Sequence, residues 1–172
     1  MHAPATASEH RDWTTWLPGI HATLMFVVRD DEILLILKKR GLGAGKVNGP
    51  GGKIDPGESP LECVIRECRE ELHITPVNPR KTGELRFLMS DCPDIHCHVF
   101  RADDIDGTAT ETDEAVPLWT KTDAIPYPQM WEDDRHWLPL LLAGRQFMGR
   151  FIFHGETMLW MEIETRVSFP PA

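Results

Sequence analysis

The sequence has no run of eighteen apolar residues, so no segment reads as a membrane-spanning helix. Its first twenty residues, MHAPATASEHRDWTTWLPGI, lack the basic start and apolar stretch of a secretory signal. A soluble, cytoplasmic protein is the expectation. Cysteine is scarce: Cys63, Cys68, Cys92 and Cys97 are too few for a disulfide-held scaffold in 172 residues, and we read them as small apolar side chains. Positive charge is outnumbered, with 18 Lys and Arg against 27 Asp and Glu and a net charge of -9. That excludes a general binder of polymeric nucleic acid, which needs a basic stripe to neutralise phosphates. If phosphates are handled at all, cations must mediate the contact. Internal repeats and low-complexity segments are also absent.

What is present fits one domain with a real core. Residues 1–18 show no apolar period and read as an N-terminal extension, with Trp13 and Trp16 as candidates to pack back on the body; residues 19–172 form the domain. HATLMFVV (21–28) and ILLILK (33–38) flank the turn-prone Arg29-Asp30-Asp31-Glu32 and read as a β-hairpin. The following KRGLGAGKVNGPGGKIDPGESP holds too much Gly and Pro for a regular element, and glycine lets backbone approach a ligand closely. Ser59 and Pro60 supply an N-cap and a first-turn proline for a helix over LECVIRECREEL. Later, ELRFLM, IHCHVFR and AVPLWT read as strands, MWEDDRHWLPLLLAG as a helix, and RFIFHGETMLWMEIETRV as a hairpin turning at His154-Gly155-Glu156. The order predicts an α+β fold with a mixed sheet and about two helices.

On the first helix, Leu61, Ile65, Cys68 and Leu72 share a narrow stripe at 100° per residue and should face the core. Glu67, Glu70 and Glu71 lie on another face at spacings i, i+3 and i+4, where like charges repel by a few tenths of a kcal/mol per pair, roughly, unless something neutralises them. A divalent cation does so, and hard carboxylate oxygens suit Mg²⁺. By itself the string REcREE is better read as an exposed, salt-bridge-laced surface.

The surrounding residues decide between these. Gly52, five positions, Glu58, seven positions, then Arg66-Glu67-Cys68-Arg69-Glu70-Glu71-Leu72-His73-Ile74 resembles the Nudix box G-x5-E-x7-R-E-U-x-E-E-x-G-U. His73 departs from it, standing where glycine makes a left-handed turn cheap. The resemblance implies a Nudix fold, a mixed β-sheet between helices, and hydrolysis of a phosphoanhydride bond with Mg²⁺ or Mn²⁺. It also implies Glu67, Glu70 and Glu71 as metal ligands joined by the Gly51 carbonyl, with Arg66 and Glu58 orienting the glutamates through charge-assisted hydrogen bonds. Glu70 and Glu114 both remain open as the group that takes a proton from water.

Beyond the box, LKKRGLGAGKVNGPGGK, IHCHVF, ETDE and MWEDDRHWLPLLL resemble the MutT-type branch of that family, whose members hydrolyse oxidised purine nucleoside triphosphates. That resemblance implies Asn48, Asp133 and Asp134 as base readers, Trp131 stacked on the purine, and Trp137 and Phe87 as pocket walls. It further implies Thr23 and Lys38 in substrate binding and Glu114 as another metal ligand. Residue chemistry agrees: Asn offers a donor and an acceptor, an aromatic face stacks, and two adjacent buried aspartates cannot both ionise cheaply. The plainer reading of Glu132-Asp133-Asp134 is negative charge in a helix first turn. Leu42, Val47 and Met89 stand where that branch has larger aromatic residues, so a wider base pocket is expected.

The implied activity converts 8-oxo-dGTP- or 2-oxo-dATP-type (deoxy)nucleotides to monophosphate and pyrophosphate, by a monomer acting on a small nucleotide. The alternatives are a Nudix hydrolase of dinucleoside polyphosphates or other nucleoside diphosphate-linked substrates, and an idle nucleotide-binding module, which the presence of all three glutamates opposes. An isoprenoid diphosphate isomerase would leave the base-pocket residues without purpose. Cys92, His96, Cys97 and His98 form no C-x-x-C and no second ligand pair. On a strand His96 and His98 share a face and Cys97 points away, so we read them as strand side chains. Lys38, Lys39 and Arg40 lie beside the glycine loop, Lys38 being the most interesting. Leu159 and Trp160 read as core and surface positions of the last hairpin.

Overall fold

The computed structural model describes residues 12–171. The first eleven residues of the expected extension lie outside that range. Among the described residues no helix is long and apolar enough to cross a membrane.

The chain starts with the expected hairpin, β1 (Ile20–Arg29) and β2 (Glu32–Lys38), which turns at Asp30 in a left-handed conformation. β3 (Val47–Asn48) is a two-residue strand within the glycine loop. α1 (Pro60–Leu72) then forms as the cap residues dictate. The Ser59 hydroxyl accepts the Glu62 N–H at 3.2 Å, and the Glu62 carboxylate accepts the Ser59 N–H at 2.8 Å. β4 (Thr75–Val77), β5 (Arg80–Met89), β6 (Ile95–Ala102), β7 (Asp104–Asp106) and β8 (Ala115–Lys121) follow. α2 (Asp134–Leu142), β9 (Phe147–His154) and β10 (Thr157–Glu164) complete the chain.

The sheet is mixed, in the order β10-β9-β5-β6-β1-β2-β3, with β8 on β2. β1 runs parallel to β6 and β5 parallel to β9; the other pairs are antiparallel. Alternation along β1 sends Phe26 to one face and Met25 and Val27 to the other, so two cores form. Phe26, Leu85, Val99, Phe147 and Phe151 pack with Trp137, Leu138 and Leu141 of α2. Met25, Val27, Leu34, Ile36 and Phe100 pack with Val64, Cys68 and Leu72 of α1. Burying each of these large side chains is worth about 1.5–3 kcal/mol, which seats one helix on each face.

Several expectations shift. The buried stripe of α1 is wider than read, since Cys63 and Val64 are fully buried while Leu61 and Ile65 are only partly so. α2 begins at Asp134, with Asp133 as its cap, instead of at Met130. β4 and β7 make a small separate sheet that no local pattern announced, and Pro76 is tolerated there because the pair has no inner strand. Leu159 falls where the β9–β10 register slips between Met158 and Trp160, and it is exposed instead of forming core. Trp16 is buried, donates its indole N–H to Asp94 at 2.8 Å, and Trp13 stacks on Trp160, so this segment does pack back on the body.

One topological detail opens the site. β1 and β2 are paired only over Val27–Arg29 and Glu32–Leu34, whereas β2 stays paired with β8 along its whole length. The first half of β1 is instead bonded to the glycine loop, through Thr23 N–H to the Gly52 carbonyl and Met25 N–H to the Pro50 carbonyl, both at 2.8 Å. The strands therefore diverge, and residues of both, with the glycine loop, β5, β6 and α2, line a cavity of about 700 Å³.

Candidate active site

Two glycines bring the loop against its neighbours. A Cβ on Gly51 would lie 2.0 Å from the Thr23 carbonyl oxygen, and one on Gly52 would lie 2.4 Å from Glu67 Oε1. Only hydrogen fits at either position. Gly51 N–H donates to Glu71 Oε2 at 3.1 Å, and among the described residues no hydrogen bond uses the Gly51 carbonyl. Cys63 packs beneath this loop, its Sγ 3.3 Å from Thr23 Oγ1 and 3.4 Å from the Lys53 carbonyl.

Arg66 is the hub of the glutamate end. Its guanidinium donates to both Glu58 oxygens at 2.8 and 2.9 Å, to Glu67 Oε1 at 2.8 Å and to Glu70 Oε2 at 3.1 Å. That contact, with the Asp55 N–H, holds the Glu58 carboxyl down to about 2. The three box glutamates differ in depth: Glu71 is buried, Glu67 nearly so, and Glu70 is half exposed. Burial pushes Glu67 up, and it pushes Glu71 up to about 7 against the pull of the Gly51 N–H, with Glu67 adding to the rise. Thr112 ties the next loop to the helix, donating its hydroxyl to the Glu71 carbonyl at 2.8 Å and accepting the Glu114 N–H at 3.2 Å. Glu114 itself pairs with Arg40.

These carboxylates suit a hard divalent cation. Glu67 and Glu71 are oxygen donors on the buried side of α1, and their raised carboxyls are what a neighbouring positive charge would relieve. Their oxygens are not all within 4.8 Å of one another, however; among the described residues the tight group of three is His21, His96 and His98. Repulsion between carboxylates, and the pull of Arg66 and Arg40, account for the spread. Mg²⁺ tolerates it because it keeps waters and substrate oxygens among its ligands.

The cavity runs from Glu67, Glu71 and Glu114 to a second acidic end. Thr23, Lys38, Asn48, Phe87, Trp131, Asp133, Asp134 and Trp137, every residue expected to bind substrate, line it; Glu58, Arg66 and Glu70 do not. Asp133 and Asp134 are almost fully buried. Trp137 donates its indole N–H to Asp133 Oδ2 at 2.8 Å, whereas Asp134 Oδ2 is buried without a hydrogen-bond partner. Burial pushes Asp133 up to about 6, despite Trp137, and burial with the adjacent Asp133 pushes Asp134 well above the usual carboxylate range. Desolvation and the shared charge thus oppose ionisation of both carboxyls, against the helix first-turn preference for charge.

Phe87 stacks on Phe151 at 5.3 Å between centroids, and Trp131 meets Phe153 edge-on at 5.9 Å. Of the three positions expected to widen the pocket, Leu42 and Met89 line it, but Val47 does not: it is buried in the α2-side core. Sequence reasoning placed Arg40 in the basic run beside the glycine loop without giving it a partner, and missed Lys46. Lys46 Nζ lies 5.0 Å over the Trp131 ring and pairs with Glu156 at 3.3 Å. It also missed Leu85, Ile95, Cys97 and Phe153 as lining residues. Alternation along β6 marks Ile95 and Cys97 as sharing a face, but which face meets the cavity depends on long-range pairing.

A family model described as the NUDIX domain matches residues 19–141. The oxidized purine nucleoside triphosphate hydrolase of Danio rerio is 41% identical over 138 residues, covering 80% of this chain and 88% of the relative. The Mus musculus protein of the same name is 39% identical over 135 residues, 78% of this chain and 86% of the relative. A mutator MutT protein of Bacillus halodurans has a similar crystal structure, with a TM-score of 0.77 at 28% identity over 86% of this chain and 98% of that one.

Proposed function

Because the chain belongs to the Nudix family, we propose that it hydrolyses oxidised purine (deoxy)nucleoside triphosphates to the monophosphate and pyrophosphate, removing damaged bases from the nucleotide pool. The observation that carries this is one cavity with Glu67 and Glu71 at one end and Asn48, Trp131, Asp133 and Asp134 at the other. The phosphate chain lies toward the glutamates and the base toward the aspartates. Relatives from fish and mouse, matched over most of both chains, carry names for this activity and add support.

In this reading Glu67, Glu71 and Glu114, with the Gly51 carbonyl, hold Mg²⁺ or Mn²⁺, and Glu70 completes the set from the outer edge of the helix. When bound, the ion screens phosphate charge and acidifies a water. Arg66 and Glu58 keep Glu67 and Glu70 in place, Lys38 offers a cation to the phosphates, and Glu70 or Glu114 takes the water's proton. Trp131 stacks on the base, with Phe87 and Trp137 as walls. Asn48 presents a donor and an acceptor. A protonated Asp134 donates where a carboxylate would repel, so the pair can meet a base whose oxidation has turned an acceptor into a donor or the reverse.

Turnover of 8-oxo-dGTP, 2-oxo-dATP, dGTP and dATP with Mg²⁺, monitored as pyrophosphate release, tests the reading. The oxidised pair should have kcat/KM at least about tenfold higher, since good bidentate base contacts discriminate by ~1–3 kcal/mol. Asp134→Ala should erase most of that preference. Equal rates for oxidised and normal nucleotides in the wild type would sink the sanitising role.

A further inference from the structure

On the α1 side of the sheet, outside the cavity, three imidazoles converge. His21 of β1 is the register partner of His96 on the parallel strand β6, and His98, two residues on, shares its face. One nitrogen from each ring lies within 4.8 Å of the others, and ring centroids are 5.7 Å apart for His21–His96 and 4.5 Å for His96–His98. None of the three lines the cavity.

We propose that His21, His96 and His98 form a second metal site, separate from the glutamates, for a transition-metal dication of the Zn²⁺ class. Imidazole nitrogen favours Zn²⁺, Co²⁺, Ni²⁺ and Cu²⁺, whereas Mg²⁺ prefers oxygen, so the two sites sort metals by donor chemistry. Zinc–nitrogen bonds are about 2.0–2.1 Å long, and rings already this close meet an ion by side-chain rotation without moving the strands.

The surroundings favour it independently. His98 Nδ1 is buried and has no hydrogen-bond partner, with Glu84 Oε1 3.8 Å away, beyond hydrogen-bond reach. Such an atom calls for a ligand. Glu84, the register partner of His98 on β5, has Oε2 3.1 Å from His96 Nε2, the carboxylate-to-histidine contact that fixes a ligand ring and raises its basicity. Two cations flank the cluster: Lys81 pairs with Glu84, and Arg86, the register partner of His96 on β5, has its guanidinium 5.7 Å from the Trp16 ring centroid. Trp16 walls the site edge-on against His96 at 6.0 Å, while His21 is exposed and leaves an entry. A bound ion would staple β1 to β6, two strands far apart in sequence.

The test is a Co²⁺ titration of the full chain, stripped with chelator and kept in excess Mg²⁺. One equivalent should bind with the visible absorption of a nitrogen-rich site and should persist in Glu71→Gln. Affinity should fall by at least about tenfold in His21→Ala and in His98→Ala, as even outer partners of metal sites are worth roughly 10- to 100-fold. His21 is exposed, so that variant keeps its fold, checked by circular dichroism, and its Mg²⁺-supported turnover should match wild type. The proposal is overturned if no Mg²⁺-resistant equivalent binds, if His21→Ala binds it unchanged, or if His21→Ala loses turnover.

Discussion

The two ends of the cavity both bury acids, and they neutralise them by different means. At the glutamate end Arg66 serves Glu58, Glu67 and Glu70, and Arg40 serves Glu114. Glu71 alone has no ion-pair partner there among the described residues, and burial lifts it to about 7. At the aspartate end no ion pair reaches Asp133 or Asp134 among the described residues, and the Trp137 N–H is the one side-chain hydrogen bond they receive. An acid inside a lattice of cations is poised to accept one more cation. An acid walled by aromatics is poised to keep a proton. In the proposed reading, the same side-chain chemistry supplies a phosphate-metal subsite at one end and a hydrogen-bonding base subsite at the other.

The strongest way to break that contrast is Glu71→Gln. If the uncompensated charge exists to hold a cation, Mg²⁺-supported turnover should fall by more than about 100-fold, since outer partners of metal sites alone are worth roughly 10- to 100-fold. The fold should survive, because the glutamine oxygen can still accept the Gly51 N–H, and the melting temperature should not drop. Near-normal turnover would remove Glu71 from the metal site.

A smaller effect separates proton from cation at the other end. Asp133 is raised from 3.8 to about 6 on folding, so the folded chain holds its proton more tightly. Its favourable contribution is full below the unfolded value and is lost as pH rises through 6. Asp133→Asn should therefore gain stability over wild type above pH 6, by up to about 3 kcal/mol at 1.36 kcal/mol per pKa unit, and match it near pH 4. Urea unfolding across that range measures it, and a pH-independent difference would mean that Asp133 is not held protonated by burial.

The smallest effect lies at the far end of the helix carrying the glutamates. His73 caps α1 at φ 59° and ψ 36°, doing the glycine's job at a cost of roughly 1–2 kcal/mol for a non-glycine residue. His73→Gly regains part of that after its own unfolded-state entropy, so a net rise of about 0.5–1 kcal/mol, or ~1–4 °C in melting temperature, is expected with turnover unchanged. A loss of turnover would show that the glutamate end depends on this turn.

How much was legible follows the range of the interactions. The N-cap at Ser59, the first hairpin and the spacing of Glu67, Glu70 and Glu71 are local, and they could be read directly. β3, β4 and β7 could not, because strands of two or three residues have no period and exist only through their partners. Val47 was assigned to the pocket by position, yet pairing with Leu37 turns it into the core. His96 and His98 looked two ligands short of a site because the third, His21, is brought by the parallel pairing of β1 with β6.

The amino-acid sequence by itself determined the family box, the helix that presents it and the kinds of group available to bind metal and base, since these rest on spacing within one helix and one loop. Only the tertiary structure decided that Glu71, among the described residues, is buried without an ion-pair partner while Glu70 is not, that burial raises the Asp134 carboxyl, and that three histidines meet. Each of those depends on desolvation and on strand register, and both are set by which distant segments pack together.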